Sequence, residues 1–289
     1  MDILVTGGAG FIGSQTANAL LEANHRITVL DNFSTGSLRH LNPEIPVVIK
    51  SIKEYSPAHK FDAIYHFAAQ TNLRHSVEDP VNDAECNILN TLRVCKWAEL
   101  WGSKIIFSST GGALYGETPC PVEETFPINP DSPYGLSKYA CERYIRLLGK
   151  LHGFDYTILR YSNVFGPTQS PKNESGVISI FVKATREKDN VKIFGTGEQT
   201  RDFIFIEDVV KANLVALSET GTHNISTGFE TSIKFVAQAL GLKSPEFCPS
   251  KPGEVSRSVP KPSACFGGRK PETVFLDGLI KTLENFDSQ

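Results

Sequence analysis

A glycine-rich turn near the start of the chain places the strongest constraint on its fold. The segment Gly7–Gly13 reads GGAGFIG and stands between the apolar run Ile3–Thr6 and the amphipathic segment Phe11–Ala23. Glycines at the G-x-G-x-x-G spacing permit a tight turn, a close approach of the backbone to a pyrophosphate, and close packing of helix on strand. The following helix also presents unpaired N–H groups to a phosphate. The pattern predicts a dinucleotide-binding strand–turn–helix unit.

Short apolar runs alternate with longer amphipathic segments through about residue 165. The predicted strands are Ile3–Thr6, Arg26–Leu30, Val47–Lys50, Ala63–Phe67, Lys104–Ser108 and Tyr156–Arg160. The predicted helices are Phe11–Ala23, Val81–Leu100 and Pro133–His152. Strands that alternate with helices indicate a parallel sheet covered on both faces. We therefore predict an α/β fold with a doubly wound parallel sheet, the Rossmann fold.

The pattern changes after Gly166-Pro167. Predicted helices follow at Val177–Glu187, Asp208–Ser218, Ile233–Leu240 and Phe275–Phe286, with strands at Val191–Phe194 and Asp202–Ile206. A length of 289 residues suits about two compact domains. We expect a cofactor domain over residues 1–166 and a smaller mixed α/β lobe over 167–289, some segments of which return to the first domain.

Composition excludes several classes of protein. Forty per cent of the residues are hydrophobic and the net charge is −3, which argues against general disorder and against a nucleic-acid-binding surface. The six cysteines form no CxxC pair and the seven histidines form no ligand-spaced cluster, so we expect free thiols and no metal site. No apolar run reaches the about 18 residues of a membrane span, and the first residues read as a strand rather than a signal peptide. These features predict a cytoplasmic protein with no membrane partner.

An acidic residue follows the glycine turn at the spacing that nicotinamide dinucleotides require. Asp31 ends the second predicted strand, 18 residues after Gly13. A carboxylate at this position accepts hydrogen bonds from the ribose hydroxyls of adenosine and repels a 2′-phosphate. Neither Asn32 nor Phe33 supplies the basic residue that NADP would favour. The predicted cofactor is NAD.

A tyrosine and a lysine then share one face of a predicted helix. Tyr134 and Lys138 are four residues apart at the start of Pro133–His152, which follows the strand that leads into Ser108-Ser109-Thr110. A tyrosine with a pKa of about 10 is a poor base at neutral pH, but a nearby lysine charge and an oxidised nicotinamide favour the phenolate. Such a tyrosine can take the proton of an alcohol while a hydroxyl at the strand end shares the same oxygen.

Several motifs occur together and in order. They are Gly7–Gly13, Asp31, His66–Gln70, Ser108–Gly116, Tyr134–Lys138, Leu159–Pro167, Thr200–Val209 and Lys251–Val255. In this combination the chain resembles the extended short-chain dehydrogenase/reductases, and within them the NAD-dependent nucleotide-sugar epimerases. The resemblance covers nearly the whole chain.

The resemblance implies a role for residues at matching positions. Tyr134 would be the catalytic base, Lys138 its stabiliser and Thr110 the catalytic hydroxyl, with Ser109 the lesser candidate. The implied cofactor contacts are Gly7, Gly10, Phe11, Ile12, Gly13, Asp31, Asn32, Ser34, Thr35, Gly36, Ser51, Ile52, Phe67, Ala68, Ala69, Gln70, Asn87, Ser108, Tyr134, Lys138, Tyr161 and Val164. The implied substrate contacts are Thr110, Asn163, Val177, Phe194, Arg201, Lys251, Glu254 and Ser258.

Three positions depart from the family pattern. Ser51 stands where many members have an aspartate that contacts adenine. Lys251 stands where an arginine often binds the diphosphate, so it would act as a point charge rather than a bidentate fork. Glu254 stands for the usual acidic partner of the ribose. These departures bear on cofactor and substrate affinity.

The resemblance implies an enzyme that inverts C4 of a UDP-hexose through a 4-keto intermediate and interconverts UDP-glucose and UDP-galactose. Ser258 occupies the position that flanks the C2 substituent, and its small size would also admit the N-acetyl sugars. Dehydratases of the family place Asp-Glu after the catalytic threonine, whereas Gly111-Gly112 follows Thr110 here, and the glutamate of the decarboxylases is also absent. A non-catalytic NAD or nucleotide-sugar binder is the alternative of another class. The resemblance further implies a homodimer built on the helices Val81–Leu100 and Pro133–His152.

Overall fold

The computed structural model describes residues 1–119, 121–171, 176–250, 255–263 and 271–286. In chain order the strands are β1 (Asp2–Thr6), β2 (Arg26–Asp31), β3 (Val47–Ile49), β4 (Ala63–His66), β5 (Lys104–Thr110), β6 (Tyr156–Tyr161), β7 (Asn163–Phe165), β8 (Lys192–Phe194), β9 (Thr200–Arg201), β10 (Phe203–Phe205), β11 (Gly221–Ile225), β12 (Thr231–Ser232), β13 (Glu246–Cys248) and β14 (Arg257–Ser258). The α-helices are α1 (Phe11–Glu22), α2 (Leu73–Glu78), α3 (Pro80–Ala84), α4 (Asn90–Trp101), α5 (Pro133–His152), α6 (Val177–Glu187), α7 (Ile206–Val215), α8 (Ile233–Ala239) and α9 (Phe275–Glu284).

These elements divide into two compact units, neither of which is continuous in sequence. Unit 1 comprises residues 1–110, 133–160 and 210–223, and unit 2 comprises the described residues of 111–132, 161–209 and 224–286. We describe each unit by itself.

A seven-stranded sheet runs in the order β3-β2-β1-β4-β5-β6-β11, and its first five strands belong to unit 1. The pairings of β1 with β2 and β4, of β2 with β3, and of β4 with β5 are all parallel. Strand order reverses between β1 and β4, so the carboxyl ends of these two strands form the switch point at which open α/β sheets bind ligands. This arrangement confirms the predicted fold class.

The core of unit 1 explains why its strands are apolar on both faces. Leu4, Ile64 and Ile105 are fully buried on three adjacent strands, in one cluster with Val94 of α4 and Ile145 of α5. A parallel sheet with helices on both faces buries both sides of each strand, which favours short continuous apolar runs. The predicted strands and helices of unit 1 are confirmed to within about two residues at most ends.

The predicted helix Val81–Leu100 is interrupted in the structure. A π-helical turn, Glu85–Leu89, separates α3 from α4. The backbone carbonyl of Asn87 in this turn accepts hydrogen bonds from the Thr91 hydroxyl at 2.7 Å and the Cys141 thiol at 3.4 Å. Turns of this type occur frequently at functional sites. Apolar periodicity does not distinguish a π turn from a continuous α-helix.

Unit 2 contains smaller sheets. β7 pairs with β10, β13 pairs with β8, and β9 lies between β12 and β14. Aromatic rings of Phe165, Phe203, Phe205 and Phe275 lie 5.5 to 6.4 Å apart and fill the space between β7, β10 and α9. Helix α6 has the bounds that the sequence predicts, whereas α7 begins two residues earlier than predicted, directly after β10.

Candidate active site

The glycine turn and the loop after β4 meet at the switch point of the sheet. The backbone N–H groups of Phe67 and Ala68 both donate to the carbonyl oxygen of Thr6 at 3.0 Å. Gly7 has a φ of +69°, and a Cβ on it would lie 2.4 Å from the nitrogen of Ala68. A Cβ on Gly13 would lie 2.2 Å from the carbonyl oxygen of Gly7. Any side chain at Gly7 or Gly13 would therefore displace the turn.

The first turn of α1 has the properties of a phosphate site. Gly10 is its N-cap, no side chain caps it, and no acidic residue lies in the turn. Phe11 and Ile12 are only half-buried. No carboxylate within this turn therefore occupies the positive end of the helix dipole.

Asp31 is bound to the glycine turn. Its Oδ2 accepts a hydrogen bond from the backbone N–H of Ala9 at 2.9 Å, and its Oδ1 accepts one from the N–H of Phe33 at 2.8 Å. The loop after β2 also lies against the turn, because Ser37 N–H donates to the Ala9 carbonyl at 2.9 Å and Gly36 leaves no space for a Cβ beside Ala9. The other predicted cofactor residues of this loop, Asn32, Ser34 and Thr35, are exposed.

A carboxylate also lies at the end of β3, although Ser51 replaces the expected aspartate there. The Ser51 hydroxyl donates to Glu54 Oε2 at 2.7 Å, and its backbone N–H donates to the same oxygen at 3.3 Å. Ile52 beside it is buried. Glu54 is not among the predicted site residues, and its only sequence signal is its spacing of three residues from Ser51.

Asn87 holds the loop after β4. Its side-chain Oδ1 accepts from the backbone N–H of Gln70 at 2.9 Å, and its Nδ2 donates to the backbone carbonyl of Gln70 at 3.0 Å. The Gln70 amide in turn donates to Asp83 Oδ1 at 2.9 Å. Asn87 therefore fixes the position of the loop Phe67–Gln70, in addition to the cofactor contact that the sequence predicts for it. Asp83 is not among the residues predicted from the sequence.

Lys138 reaches from α5 to the end of β5. Its Nζ donates to the backbone carbonyl of Ser108 at 2.8 Å and lies 4.8 Å from the centre of the Phe107 ring. Burial lowers the pKa of Lys138 to about 8, although the charges of Cys141, Asp83 and Glu142 act in the opposite direction. Lys138 is thus mostly charged at neutral pH and is held beside the strand end.

Tyr134 lies one helical turn before Lys138 on α5 and is half-buried. Burial is the main cause that raises the pKa of Tyr134 above its ordinary value, and the charges of Asp83 and Cys141 add to it. The sequence predicts a lowered pKa when a lysine and an oxidised nicotinamide are adjacent. In the protein by itself burial has the larger effect, so Tyr134 is a neutral phenol.

The two candidate hydroxyls at the end of β5 have different surroundings. Ser109 is buried, and its hydroxyl donates to Glu142 Oε1 at 2.6 Å. Glu142 also accepts from Arg160 Nε at 2.9 Å and Nη2 at 2.7 Å, and from Arg146 Nη2 at 2.9 Å. The Thr110 hydroxyl has no hydrogen-bond partner within the described part of the chain. Ser109 therefore belongs to an internal network, and Thr110 is available for a ligand.

A second internal network connects the ends of β1 and β4 with α4. His66 Nδ1 accepts from the Thr6 hydroxyl at 2.7 Å, and His66 Nε2 lies 3.0 Å from the Thr91 hydroxyl. Because Thr91 gives its own proton to the Asn87 carbonyl, it accepts from Nε2–H, which assigns the neutral tautomer of His66. Burial lowers the pKa of His66 to about 3, and the charge of Lys138 contributes.

In unit 2 the predicted substrate residues lie on short paired strands. Arg201 of β9 is the register partner of Ser258 of β14, and Asn163 of β7 is the partner of Phe203 of β10. Ser258 is buried, and its hydroxyl donates to the Gly112 carbonyl at 3.2 Å. Arg201 and Asn163 are partly exposed. The structure thus brings Arg201 and Ser258 together within this unit.

Asp202 joins these strands. Its carboxylate accepts from the Ser162 hydroxyl at 3.0 Å, from the Thr227 hydroxyl at 2.9 Å and from the backbone N–H groups of Thr227 and Gly228. Burial raises the pKa of Asp202 to about 6 against the effect of these donors. The network fixes the position of the residue directly after Arg201.

The other predicted residues of unit 2 are more scattered in the chain. Val177 begins α6 and Phe194 ends β8, and both are half-buried. Tyr161 and Val164, predicted as cofactor contacts, also belong to unit 2. Lys251 and Glu254 lie outside the described residues.

The residues of unit 1 fit an NAD molecule. Gly7 and Gly13 form a cradle that any Cβ would fill, α1 presents an uncapped N-terminus, and the Asp31 carboxylate stands at the end of β2 beside that turn. These are the pyrophosphate and ribose features of a dinucleotide site.

Comparison with known proteins agrees with this geometry. The chain matches the NAD dependent epimerase/dehydratase family over residues 3–226. It belongs to that family. A putative UDP-glucose 4-epimerase of Methanocaldococcus jannaschii is 44% identical, with 97% of each chain covered.

Two solved structures are similar along the whole chain. A UDP-glucose 4-epimerase of Thermotoga maritima, crystallised with UDP-glucose, has a TM-score of 0.95 and 38% identity. The superposition covers 99% of this chain and 98% of the Thermotoga chain. A UDP-glucose 4-epimerase of Thermus thermophilus in complex with NAD has a TM-score of 0.92 and 35% identity, with 99% of each chain covered. Within the described residues, no helix has the length and apolar character needed to cross a membrane.

Proposed function

We propose that this member of the family is an NAD-dependent 4-epimerase that interconverts UDP-glucose and UDP-galactose. The observation that carries the proposal is the pairing of Tyr134 and Lys138 on α5, with Lys138 bonded to Ser108 at the end of β5, in the same unit as a glycine turn that fits NAD. The similarity to epimerases along the whole chain supports the reaction class.

We infer that unit 1 holds the cofactor and unit 2 the nucleotide sugar. The first-turn amides of α1 would bind the pyrophosphate, Asp31 the adenosine ribose, and Lys138 the nicotinamide ribose. When bound, NAD supplies reversible hydride acceptance, which allows the C4 hydroxyl to be oxidised to a ketone and reduced again from the other face.

The chain's own residues manage the proton of that hydroxyl. Tyr134 first gives up its own proton to solvent; its phenolate then accepts the proton of the 4-hydroxyl in one direction, and the phenol returns that proton in the other. Lys138, which is charged at neutral pH, stabilises the phenolate that Tyr134 becomes. Thr110 donates a hydrogen bond to the 4-oxygen and orients it toward Tyr134.

Unit 2 would bind the UDP moiety. The guanidinium of Arg201 provides a charge-assisted contact to the diphosphate, and Asn163 adds a neutral donor. Val177 and Phe194 would border the uridine. Lys251 and Glu254 are proposed as further contacts to the diphosphate and the ribose.

Ser258 bears on the choice of sugar. We propose that its position flanks the C2 substituent of the hexose, where a small side chain admits an N-acetyl group as well as a hydroxyl. Its burial and its register pairing with Arg201 support a place near the nucleotide-sugar contacts of unit 2.

We also propose a cytoplasmic homodimer. Leu136, Leu147 and Leu151 are more than half exposed on α5 and fall on one stripe of that helix, and Leu89 and Leu100 are exposed in the π turn and on α4. A second copy of the chain would bury this apolar stripe in a contact of helices. A change of Leu147 to Glu would produce a monomer in analytical ultracentrifugation.

The decisive experiment supplies the purified protein with UDP-glucose, UDP-galactose and their N-acetyl forms, with and without added NAD. We expect UDP-galactose to form from UDP-glucose with no other oxidant. Tyr134→Phe should lower kcat by about 10²-fold or more while UDP-glucose still binds in calorimetry. Near-normal turnover by this variant, or no epimerised product from the wild type, would overturn the proposal.

A further inference from the structure

Asp83 of α3 is a buried carboxylate with an unusual pattern of partners. It is fully buried. Its Oδ1 accepts from Gln70 Nε2 at 2.9 Å and from Asn87 Nδ2 at 3.0 Å. Its Oδ2 is also buried, and within the described residues it has no hydrogen-bond partner. A buried carboxylate normally has both oxygens satisfied, because an unsatisfied charged atom is costly in the interior.

Asp83 is bonded to the loop after β4 and to the π turn, and its helix also packs against α2, which carries Arg74, His75 and Glu78. Helix α3 packs against α5. The carboxylate raises the pKa of Tyr134, Lys138 and Cys141 on α5 and of Cys86 in the π turn. Gln70 and Asn87 are neutral amides, and Lys138 is the buried cation on which the charge of Asp83 acts. The negative charge of Asp83 therefore acts on both groups to which we assign the proton chemistry.

We propose that Asp83 is a positioning residue, whose carboxylate binds the side chains of Gln70 and Asn87 and supplies a negative charge to the helix face that carries Tyr134 and Lys138. The proposal rests on the proposed function, because it gives Tyr134 and Lys138 their roles.

The hydrogen-bonding part of the role fixes the loop at the switch point. Asn87 binds the backbone of Gln70 on both sides, and Asp83 binds the side chains of Asn87 and Gln70 together. Loss of Asp83 would leave two amide donors without their acceptor. The loop Phe67–Gln70, which lies against the glycine turn, would then lose its support.

The electrostatic part of the role acts on Lys138 and Tyr134. A buried charge that forms no ion pair among the described residues acts over several ångströms, since the interior screens it weakly. It favours the ammonium form of Lys138 and disfavours the phenolate form of Tyr134. The resting protein thus keeps a charged lysine beside a neutral phenol.

Because Asp83 Oδ2 has no hydrogen-bond partner among the described residues, a substitution can remove the charge of Asp83 without removing its hydrogen bonds. In Asp83→Asn the side-chain oxygen can still accept from Gln70 and Asn87, and the new NH2 group replaces the one atom that has no partner among the described residues. This variant removes the charge and keeps the geometry, whereas Asp83→Ala removes both. Asp79→Asn is the matched control, because Asp79 is an exposed N-cap of the same helix and asparagine caps equally well.

Two measurements test the proposal. The first is kcat/KM for UDP-glucose as a function of pH. The second is the titration of Lys138 in the protein without ligands, by NMR of 13C-labelled lysine and with Lys138→Met for assignment. For Asp83→Asn we expect both limbs of the pH profile and the pKa of Lys138 to move to lower pH by about half a unit or more. NAD affinity should stay within about threefold of the wild type, and Asp79→Asn should shift neither quantity, since solvent screens its charge.

The outcomes distinguish the proposed role of Asp83 from the proposed epimerase function. An unchanged Lys138 titration in folded Asp83→Asn overturns the role of the charge, whether or not UDP-glucose is a substrate. A shifted Lys138 titration with no turnover by the wild type supports the role of the charge and overturns the proposed function. NAD affinity in Asp83→Ala equal to that of the wild type overturns the positioning of the loop. If Asp83→Asn does not fold, Asp83→Ser, which is also uncharged, is titrated in its place.

Discussion

Ser109 donates its hydroxyl to Glu142 at 2.6 Å, across 33 positions of the chain, and this contact distinguishes two adjacent hydroxyls. Ser109 is directed to the side of β5 that faces α5 and Arg160. Because neighbouring residues of a strand point to opposite faces, Thr110 is directed away from that network. We therefore assign the substrate-facing role to Thr110 and a structural role to Ser109.

This assignment predicts opposite effects for two alanine substitutions. Thr110→Ala should lower kcat by about 10²-fold and leave stability nearly unchanged, because its hydroxyl has no partner in the described part of the protein. Ser109→Ala should keep most of kcat and lower the free energy of unfolding by about 1–3 kcal/mol, because Glu142 loses a donor. Steady-state kinetics and urea unfolding measure both, and Thr110→Ser is the control that restores the hydroxyl. A larger loss of kcat in Ser109→Ala than in Thr110→Ala would contradict the assignment.

The ion pair of Glu142 with Arg160 is almost completely excluded from solvent. We predict that Glu142→Gln lowers the free energy of unfolding by about 3–5 kcal/mol, since it leaves the guanidinium of Arg160 buried without a counter-charge. Glu187→Gln, in the exposed pair with Lys183 on α6, should cost less than about 1 kcal/mol. Chemical unfolding followed by circular dichroism compares the two. Equal losses would show that burial of the pair is unimportant.

Two glycines of the turn should respond differently to alanine. A Cβ on Gly13 would meet the Gly7 carbonyl oxygen at 2.2 Å, whereas a Cβ on Gly10 would meet that oxygen at 3.2 Å. Gly13→Ala should therefore destabilise the protein even without NAD. Gly10→Ala should keep most of its stability and lose NAD affinity, because its methyl group would occupy space that we assign to the pyrophosphate. Thermal unfolding without ligand and NAD titration separate the two effects, and a large stability loss in Gly10→Ala would argue against this reading of the turn.

The lowered pKa of His66 predicts that the free energy of unfolding depends on pH. The pKa of His66 is lowered to about 3 in the folded protein, against about 6.5 in an unfolded chain. Below pH 6.5 the unfolded chain binds a proton that the folded protein does not, so this contribution to stability is full above that pH and is lost as the pH falls. The loss between pH 7 and 4 is about 3 kcal/mol.

The measurement compares urea unfolding of the wild type and His66→Gln over this range. We expect the variant to be less stable at pH 7 and to lose less stability on acidification. Asp202 acts with the opposite sign, because burial raises its pKa to about 6, but it is present in both proteins and cancels in the difference. Parallel pH curves for the two proteins would exclude the proposed role of His66.

Local sequence determined most of the elements of unit 1 and helix α6 of unit 2. Pro133–His152 and Val177–Glu187 have the bounds expected from their apolar period and their flanking residues. The glycine turn, Asp31 at the end of β2 and the spacing of Tyr134 and Lys138 are also local patterns, because each depends on residues close together in the chain. The short helix α2 is not predicted, since it is only six residues long and its signal is the cap that Asn72 provides for the N–H of His75.

Tertiary structure alone decided the properties that depend on partners distant in sequence. The choice between Ser109 and Thr110 depends on Glu142, and the charge near Tyr134 comes from Asp83 on another helix. Burial also depends on tertiary structure, because a tyrosine or lysine keeps its ordinary pKa until the surrounding elements exclude water from it. The sequence by itself therefore determined which chemical groups are present and on which element each lies. The packing of those elements decided which groups are neutral, which are bonded internally, and which remain available to a ligand.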